Sequence, residues 1–391
     1  MIDEYTETQQ AKQLTTLLHK RGDPCEPGNY RPIALANTLA KTYTMVQTIL
    51  SDFMEEHGML SSGQEGFRPM RHTARQLRMV TSVLEDATLA KRSINLTYVD
   101  FSSAFNTVPH AGLLEIMRRK GFPEDAITAV SAIYTNSVTS ILTPHGRTRP
   151  IPILRGTIQG DCLSPLLWNI FMDPLLRWLD EGDRGYELAT SSEAVSAAAY
   201  ADDLVLPTRT RRDARIQMAK VARFSEWAGL TVNLKKCAHT ALVAGAPGPD
   251  DLPLPFGPDF RSNPRAGAQL PWLPPRETYR YLGVELNASL DWRADATDSA
   301  ARAEAKALCI QDSAASLRQK LMLHGDNVVM SAAYRLTAGG TTPAAAARMD
   351  ASIARYAKQM WGASRSTAGA FVFLPRDLHG WGVPSIRQEV V

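Results

Sequence analysis

The sequence is poor in cysteine, in net charge and in long apolar runs. Its four cysteines form no C-x-x-C pair and have no histidine at ligand spacing, which argues against a disulfide framework or a structural zinc module. The 43 basic and 40 acidic residues give a net charge of +3, which excludes a strong polycation. No apolar stretch reaches the ~18 residues of a membrane span, and the start, MIDEYTETQQ, is too polar for a signal peptide. We expect a nuclear or cytoplasmic protein that is not secreted and has no membrane partner.

The rest of the composition is that of an ordinary globular protein. Hydrophobic residues make up 44% of the chain and charged residues 21%, which is enough apolar material to bury a large core. The 391 residues allow two or three domains, or one elaborated fold with subdomains.

Hydrophobic periodicity predicts a mixture of helices and strands. The helical patterns cover residues 41–54, 73–89, 113–119, 211–228, 294–323 and 344–361, together with the apolar stretch CLSPLLWNIFMDPLLRWL. Strands are predicted for SINLTYV, for the two halves of SAAAYADDLVLPT around a tight turn, and for RYLGVEL. The Pro- and Gly-rich residues 245–275 predict a surface loop or insertion.

Three aspartates fall at the ends of predicted strands. Asp100 ends the first strand, and Asp202 and Asp203 lie in the turn between two later strands. Phosphoryl transfer by two Mg²⁺ ions ~3.5–4 Å apart requires carboxylates that are held rigidly in this way. Taken alone, however, an Asp pair in a turn favours a structural interpretation, because Asp stabilises turns through its own backbone hydrogen bonds.

The segments around these aspartates change that balance. Tyr-Ala-Asp-Asp at 200–203 resembles the hairpin motif of reverse transcriptases, and VDFSSAFNTV resembles their first carboxylate motif. RGTIQGDCLSPLLWNIFMDPL, between them, resembles the family's Gln-Gly motif, while NYRPIAL and GQEGFRPMRHTARQ precede them and GLTVNLKKC and YRYLG follow. With AFNTVPH and GWGVPSI, these motifs are most similar to reverse transcriptases of non-LTR (LINE-type) retrotransposons, over about residues 20–386.

The resemblance implies an α+β right-hand polymerase fold with fingers, palm and thumb. The expected activity is RNA-directed DNA polymerisation, with an RNA template, a DNA primer and dNTPs as partners and two Mg²⁺ ions as cofactors, Mn²⁺ being the alternative ion. The expected divisions are fingers at 1–92, palm at 93–242, an insertion loop at 243–278, a last palm strand at 279–290, and a helical thumb with a tail at 291–391.

The resemblance also assigns roles to the acidic centre and its surroundings. Asp100 and Asp202 would bridge the two Mg²⁺ ions, with Asp203 beside them and the backbone of Phe101 touching metal or triphosphate. Phe105 would lie beneath the sugar and exclude a ribose 2′-OH, although a core position for this ring is equally open.

Further residues of the matching motifs would contact nucleotide or nucleic acid. The triphosphate would meet Arg31 and also Lys41, for which an ordinary solvated surface charge is equally open. The nascent base pair would meet Gln159 and Gly160, with a plain loop-to-helix turn as the alternative. Lys236 would protonate pyrophosphate, with the adjacent Lys235 as the alternative. Two basic faces would follow nucleic-acid phosphates, or else be ordinary solvated surfaces. The first comprises Arg68, Arg71, Arg75 and Arg78, and the second comprises Arg209, Arg211, Arg212, Arg215, Lys220 and Arg223.

The sequence departs from the family pattern in two places. Asn106 stands where the family usually has Asp, and only 19 residues precede Lys20. We therefore expect an N-terminally truncated chain that lacks an endonuclease. An inactive relic that only binds nucleic acid remains an alternative. A metal-dependent phosphatase or nuclease would leave Phe105, Gln159 and the Arg31 segment unexplained.

Overall fold

The computed structural model describes residues 12–20, 22–35, 46–135, 137–158, 160–191, 194–247, 254–257, 268–338 and 343–390. Two predicted site residues, Lys41 and Gln159, lie outside these ranges. Within the described part of the chain, none of the helices has the length and apolar character needed to cross a membrane.

The chain alternates helices and short strands. In chain order the strands are β1 (Lys12–His19), β2 (Tyr30–Leu35), β3 (Ile94–Val99), β4 (Val138–Thr143), β5 (Gly146–Arg147), β6 (Ile151–Pro152), β7 (Tyr186–Glu187), β8 (Ala194–Val195), β9 (Ala198–Tyr200), β10 (Asp203–Thr208), β11 (Ala238–Val243), β12 (Ala246–Pro247), β13 (Leu254–Pro255), β14 (Gln269–Leu270), β15 (Tyr279–Tyr281) and β16 (Val284–Leu286). The α-helices are α1 (Val46–Glu56), α2 (Thr73–Leu89), α3 (Ala104–Thr107), α4 (His110–Arg119), α5 (Glu124–Tyr134), α6 (Ser164–Asp180), α7 (Arg211–Ala228), α8 (Arg293–Asp312), α9 (Leu317–Leu323), α10 (Met330–Ala338), α11 (Pro343–Met360), α12 (Ala370–Phe373) and α13 (Ile386–Val390).

The chain divides into two compact units, each assembled from separated segments. The first unit comprises Met1–Gln76, Ser93–Thr240 and Asp250–Trp272, and the second comprises Leu77–Arg92, Ala241–Pro249 and Leu273–Val391. Most of α2 therefore groups with the C-terminal segment, although the sequence assigns it to the fingers. The expected division into fingers, palm and thumb stays a prediction.

Two helices match their predicted bounds, and local signals explain why one of them does. The helix α2 covers Thr73–Leu89, as predicted. In α7, the Thr210 hydroxyl accepts the backbone N–H of Asp213 at the first turn, and Gly229 ends the helix at φ 63°. A side-chain cap and a left-handed glycine are the usual start and stop signals of a helix, so this element is specified by its own sequence.

Two predictions about the C-terminal part were wrong in detail. RYLGVEL forms the antiparallel pair β15 and β16 rather than one strand, because Leu282 and Gly283 both adopt positive φ (47° and 84°) and make a hairpin turn. The helix predicted over 294–323 is interrupted between α8 and α9, where Ser316 and Gln319 form a capping box that starts a new helix.

The central sheet of the first unit has the strand order β11–β3–β10–β9. All residues of β3 are buried, and β3 pairs antiparallel with β10 so that Val99 lies opposite Leu204. The helix α6 packs in the same core and buries Trp168 and Phe171 completely. A strand buried on both faces and a helix buried around most of its surface give the sheet a rigid base.

A second sheet in this unit has the order β2–β1–β4–β5. The strand β1 is antiparallel to β2 and parallel to β4, and Leu18 lies opposite Arg31 in the first pairing. This sheet holds residues 30–35 of the NYRPIAL segment in an extended conformation.

The second unit contains a helical bundle from α8 onward. Its core includes Val329, Leu336, Ile353, Val372 and Ile386. The buried Asp350 of α11 binds the end of the chain. It accepts hydrogen bonds from the Ser385 hydroxyl (2.6 Å) and from the backbone N–H groups of Ile386 (2.8 Å) and Arg387 (3.3 Å). One carboxylate therefore ties the C-terminal tail to the bundle.

Candidate active site

The three aspartates of the matching motifs come together at one end of the central sheet. Val99 lies opposite Leu204, so the next residues outward, Asp100 and Asp203, leave the two strands at the same end. Asp202 lies in the tight turn between β9 and β10, in which Tyr200 pairs with Asp203. The antiparallel register thus brings residues about a hundred positions apart in sequence to one place.

Burial and like charge dominate the electrostatics of this cluster. Burial, followed by the charges of Asp202 and Asp100, raises the pKa of Asp203 to about 7. The pKa of Asp202 is also raised, mainly by burial and further by the Asp100 charge, although a hydrogen bond from its own backbone and the charges of Lys236 and Arg31 oppose the shift. The carboxylates repel each other in the absence of a counter-cation.

One oxygen of this cluster is buried without a hydrogen-bond partner. Among the described residues, no donor reaches the buried Oδ1 of Asp100. A buried carboxylate oxygen is costly to leave unsatisfied, so an unpaired oxygen between like charges fits a bound cation.

The protein groups alone do not complete a metal cage. Within the described ranges, no three His, Cys, Asp or Glu side chains stand in a ready-made metal-ligating arrangement. Mg²⁺ is commonly bound by one or two carboxylates together with waters and substrate phosphates. The cluster fits that open type of site, in which a substrate supplies the remaining oxygens.

The backbone at Phe101 is oriented by the neighbouring segment. Phe101 and Val232 form an antiparallel bridge, in which Ser102 N–H donates to Thr231 C=O (2.8 Å) and Asn233 N–H donates to Asp100 C=O (2.9 Å). These two bonds flank the Phe101 position and leave the Phe101 carbonyl out of this pairing. That geometry suits the role predicted for this carbonyl at the metal or triphosphate.

A lysine contacts the cluster from the loop after α7. The Lys236 ammonium lies 3.3 Å from Oδ2 of Asp100, with 61% of its side chain exposed. The loop turns tightly because Asn233 C=O accepts the backbone N–H groups of Lys236 (2.9 Å) and Cys237 (3.1 Å). This contact supports Lys236 over Lys235 for the predicted role.

Gly160 lies against the NYRPIAL segment. Gly160 adopts φ 112°, and a Cβ at this position would lie 2.6 Å from the carbonyl oxygen of Ala34 in β2. No side chain larger than hydrogen fits this approach. Arg31, on the same strand, is exposed and lowers the pKa of Asp202 by its charge. The structure therefore brings Arg31 to the neighbourhood of the aspartates and places Gly160 against the strand that carries Arg31.

Phe105 is packed between aromatic rings and remains partly exposed. Its ring stacks on Trp168 with a centroid distance of 4.9 Å and meets the edge of Phe67 at 5.9 Å. Phe67 is 45% exposed and holds φ 58°, an uncommon conformation for a bulky residue. The Phe105 ring is thus anchored by the core. Its role as a sugar gate stays a prediction. Sequence reasoning gave Phe67 no role.

The basic residues at 68–75 differ in how far their side chains are available for contacts with nucleic acid. Arg68 is buried, and its guanidinium binds Glu55 and the carbonyls of Ser61 and Gln64. These contacts favour a structural role for Arg68. Arg71 also pairs with an acid, Glu65, at 2.9 Å.

Arg75 and the second basic face are more open. The Arg75 side chain pairs with Glu65 at 3.4 Å but keeps 60% of its surface exposed. Arg211 and Arg212 occupy the first turn of α7, where Arg211 is partly exposed and Arg212 is exposed. Arg75 and Arg212 therefore remain the better candidates for contacts with phosphates.

The comparisons with known proteins agree with this geometry. A profile of the family described as reverse transcriptase (RNA-dependent DNA polymerase) matches residues 18–286. The chain is 30% identical over 59% of its length to the Pol polyprotein of the retrotransposable element R2 of Nasonia vitripennis. It is 26% identical over 95% of its length to that of element R2DM of Drosophila melanogaster. It spans 22% and 34% of these two relatives.

A solved structure shows the same fold. Apo telomerase from Candida tropicalis superposes with a TM-score of 0.53 at 11% identity, over 92% of this chain and 62% of the other. The α+β polymerase fold expected from the sequence is confirmed. The two sequence relatives of the chain described above come from non-LTR elements of the R2 kind, as the motifs indicated. Because the profile covers most of the sequence, the chain belongs to the reverse transcriptase family.

Proposed function

We propose that the chain is an RNA-directed DNA polymerase of a non-LTR retrotransposon, which adds dNTPs to a primer 3′-OH on an RNA template. The observation that carries this proposal is the convergence of Asp100, Asp202 and Asp203 at one end of the sheet, with an unbonded buried oxygen on Asp100. Family membership supports the same reaction.

Two Mg²⁺ ions would be held by Asp100 and Asp202, with Asp203 beside them and Mn²⁺ as the alternative ion. When bound, they would lower the pKa of the primer 3′-OH and neutralise charge on the leaving pyrophosphate. The contribution of the protein is to hold its carboxylates on buried strand ends, so that little reorganisation is needed during the reaction.

The surrounding residues would place the dNTP. Arg31 would bind the triphosphate, since a guanidinium suits phosphate oxygens, and the Gly160 backbone would approach the nascent base pair. The Phe105 ring would exclude a ribose 2′-OH. The Lys236 ammonium would donate a proton to pyrophosphate as it leaves.

The direct test is extension of a DNA primer on an RNA template with dNTPs and Mg²⁺. The native chain should give product, and the double variant Asp202→Asn, Asp203→Asn should give none while still binding the duplex. If the native chain also binds the duplex but never extends the primer, it is a binding relic and the proposal fails. Nucleotide hydrolysis without any template would instead indicate a phosphatase.

A pair of adjacent lysines tests the proton-transfer assignment. Lys236→Ala should lower kcat by on the order of 100-fold, because general acid catalysis contributes that much. The matched control, Lys235→Ala, should change kcat by less than about threefold, since Lys236 is the residue that contacts Asp100. Equal losses from the two variants would contradict the assignment.

A further inference from the structure

The turn that carries Asp202 contains a strained residue. Ala201, directly before Asp202, is buried and adopts φ 58°. A residue with a Cβ pays roughly 1–2 kcal/mol for this left-handed conformation, and a tight hairpin normally places glycine there. Such strain persists only where the surrounding structure holds the backbone in place.

One buried side chain bonds both backbone groups of Ala201. The Gln64 Oε1 accepts the N–H of Ala201 (2.9 Å), and Nε2 of the same amide donates to the Ala201 carbonyl (3.2 Å). Oε1 also accepts the N–H of Gly66 (2.8 Å). Two N–H donors at Oε1 allow only this orientation of the amide. The Gln64 side chain therefore closes a two-point clamp on Ala201.

The segment that carries Gln64 is itself docked on the hairpin. Ala199 N–H donates to Gly63 C=O (2.7 Å) and Glu65 N–H donates to Ala199 C=O (2.8 Å), so this segment runs beside β9. A Cβ on Gly66 would lie 2.3 Å from the Ala201 nitrogen, which is too close for any side chain.

A core helix holds the far side of this segment. Asn169 of α6, itself buried, donates its Nδ2–H to the Gly66 carbonyl at 2.8 Å. The clamp is thus connected through Gly66 to the packed interior of the first unit. The like charges of Asp100, Asp202 and Asp203 would otherwise push the turn apart, because a two-residue turn has few contacts of its own.

We propose that Gln64 is a positioning residue of the polymerase site, which fixes the Ala201 backbone and thereby the carboxylates of Asp202 and Asp203. It touches neither substrate nor metal and acts through Ala201. This inference rests on the proposed function, since the carboxylates matter as ligands. Comparable supporting residues around metal sites change metal affinity or activity by about 10- to 100-fold when they are replaced.

The test replaces the amide by an apolar group of similar length, Gln64→Met. The matched control is Gln217→Met, because Gln217 is also completely buried and its Nε2 donates to a backbone carbonyl, that of Leu179, at 2.8 Å. Both variants should lose stability in thermal unfolding. Only Gln64→Met should lower kcat for primer extension, by about 10- to 100-fold, with the KM for dNTP changed by less than about threefold.

A second measurement keeps the test independent of turnover. Binding of Mn²⁺ alone is measured from the loss of the electron paramagnetic resonance signal of the free ion. The Mn²⁺ affinity should fall about 10- to 100-fold in Gln64→Met and stay unchanged in Gln217→Met. The variant Asp100→Asn shows which part of the Mn²⁺ binding belongs to this site, because that part should be lost. If the native chain does not extend primers, the proposed function fails, and Mn²⁺ binding still decides the role of Gln64.

Relief of the strain provides a rescue. In the Gln64→Met background, Ala201→Gly should recover part of the lost Mn²⁺ affinity, because glycine adopts the left-handed conformation without penalty. The inference is overturned if Gln64→Met and Gln217→Met lose the same stability while kcat and Mn²⁺ binding remain native in both.

Discussion

Two groups of buried or partly buried aspartates, one in each unit of the molecule, are used in opposite ways. In the first unit, Asp202 and Asp203 are buried near Asp100, and their pKa values are raised by burial and like charge. In the second unit, Asp350 accepts three hydrogen bonds. There, burial raises the pKa of Asp298, but hydrogen bonds from Arg335 and Arg302 outweigh it, so the pKa is lowered.

This difference separates groups arranged for function from groups arranged for stability. The cluster around Asp100 accepts an electrostatic cost that a bound cation would remove. The carboxylates of the helical unit are satisfied by the protein itself. Replacing one of the clustered aspartates of the first unit should therefore affect activity, and replacing Asp350 or Asp298 of the second should affect stability.

The largest expected effect is on catalysis at Asp100. Asp100→Asn should lower primer extension by at least on the order of 100- to 1000-fold, because it removes a charge that would hold the proposed catalytic cation. The unfolding midpoint should stay the same or rise, since like-charge repulsion falls. Steady-state kinetics and thermal unfolding measure the two quantities. Activity within tenfold of the native chain would remove Asp100 from the site.

The reverse pattern is expected at Asp350. Asp350→Ala should cost about 3 kcal/mol of unfolding free energy, because two backbone N–H groups and one hydroxyl lose a charged acceptor in the interior. Urea denaturation gives the free energy, and hydrogen exchange at Ile386 reports release of the tail.

The exposed Asp326 of the same unit is the control for Asp350. Asp326→Ala should change stability by less than about 0.5 kcal/mol. A similar loss in both variants would show that the tail contacts contribute nothing specific.

The pH dependence of stability should reveal the cost of burying the Asp203 carboxylate beside like charges. Its pKa is about 7 in the folded chain and ~3.9 when unfolded, so the folded state binds more protons between these values. Without divalent cations, this group therefore destabilises the protein increasingly as pH rises from about 4 through 7.

Removing the titrating group tests this sign. Asp203→Asn should reduce the stability lost between pH 5 and pH 8 by at least about 1.4 kcal/mol, the equivalent of one pKa unit. Asp125→Asn, at an exposed position of the same unit, should leave the pH profile unchanged. A native pH profile in Asp203→Asn would argue against repulsion in the cluster.

The smallest effect is expected from an exposed ion pair of the second unit. The Arg302 side chain, which pairs with Asp298, is 48% exposed. Arg302→Ala should therefore lower the free energy of unfolding by about 0.5 kcal/mol or less. Arg335, which binds the same carboxylate, is 8% exposed, so Arg335→Ala should cost more. Equal losses in denaturant unfolding would show that burial does not decide the strength of these pairs.

The sequence by itself determined the elements whose signals are local. The strand ending at Asp100, the turn with Asp202 and Asp203, and the helix ending before Gly229 form where their patterns predict. Alternation, caps and turn residues act between neighbours in the chain, so a single sequence displays them. The order of the motifs indicated the family for the same reason.

Only the tertiary structure decided which side chains contact the aspartates and the turn that carries them. Gln64 bonds Ala201 across 137 positions, and Lys236 reaches Asp100 across 136. Arg68 looked like a surface cation until the structure placed it in a buried ion pair. Such contacts depend on strand register and packing between distant segments, and a sequence carries no local mark of them. The sequence therefore identified the carboxylates, and folding determined what holds them in place.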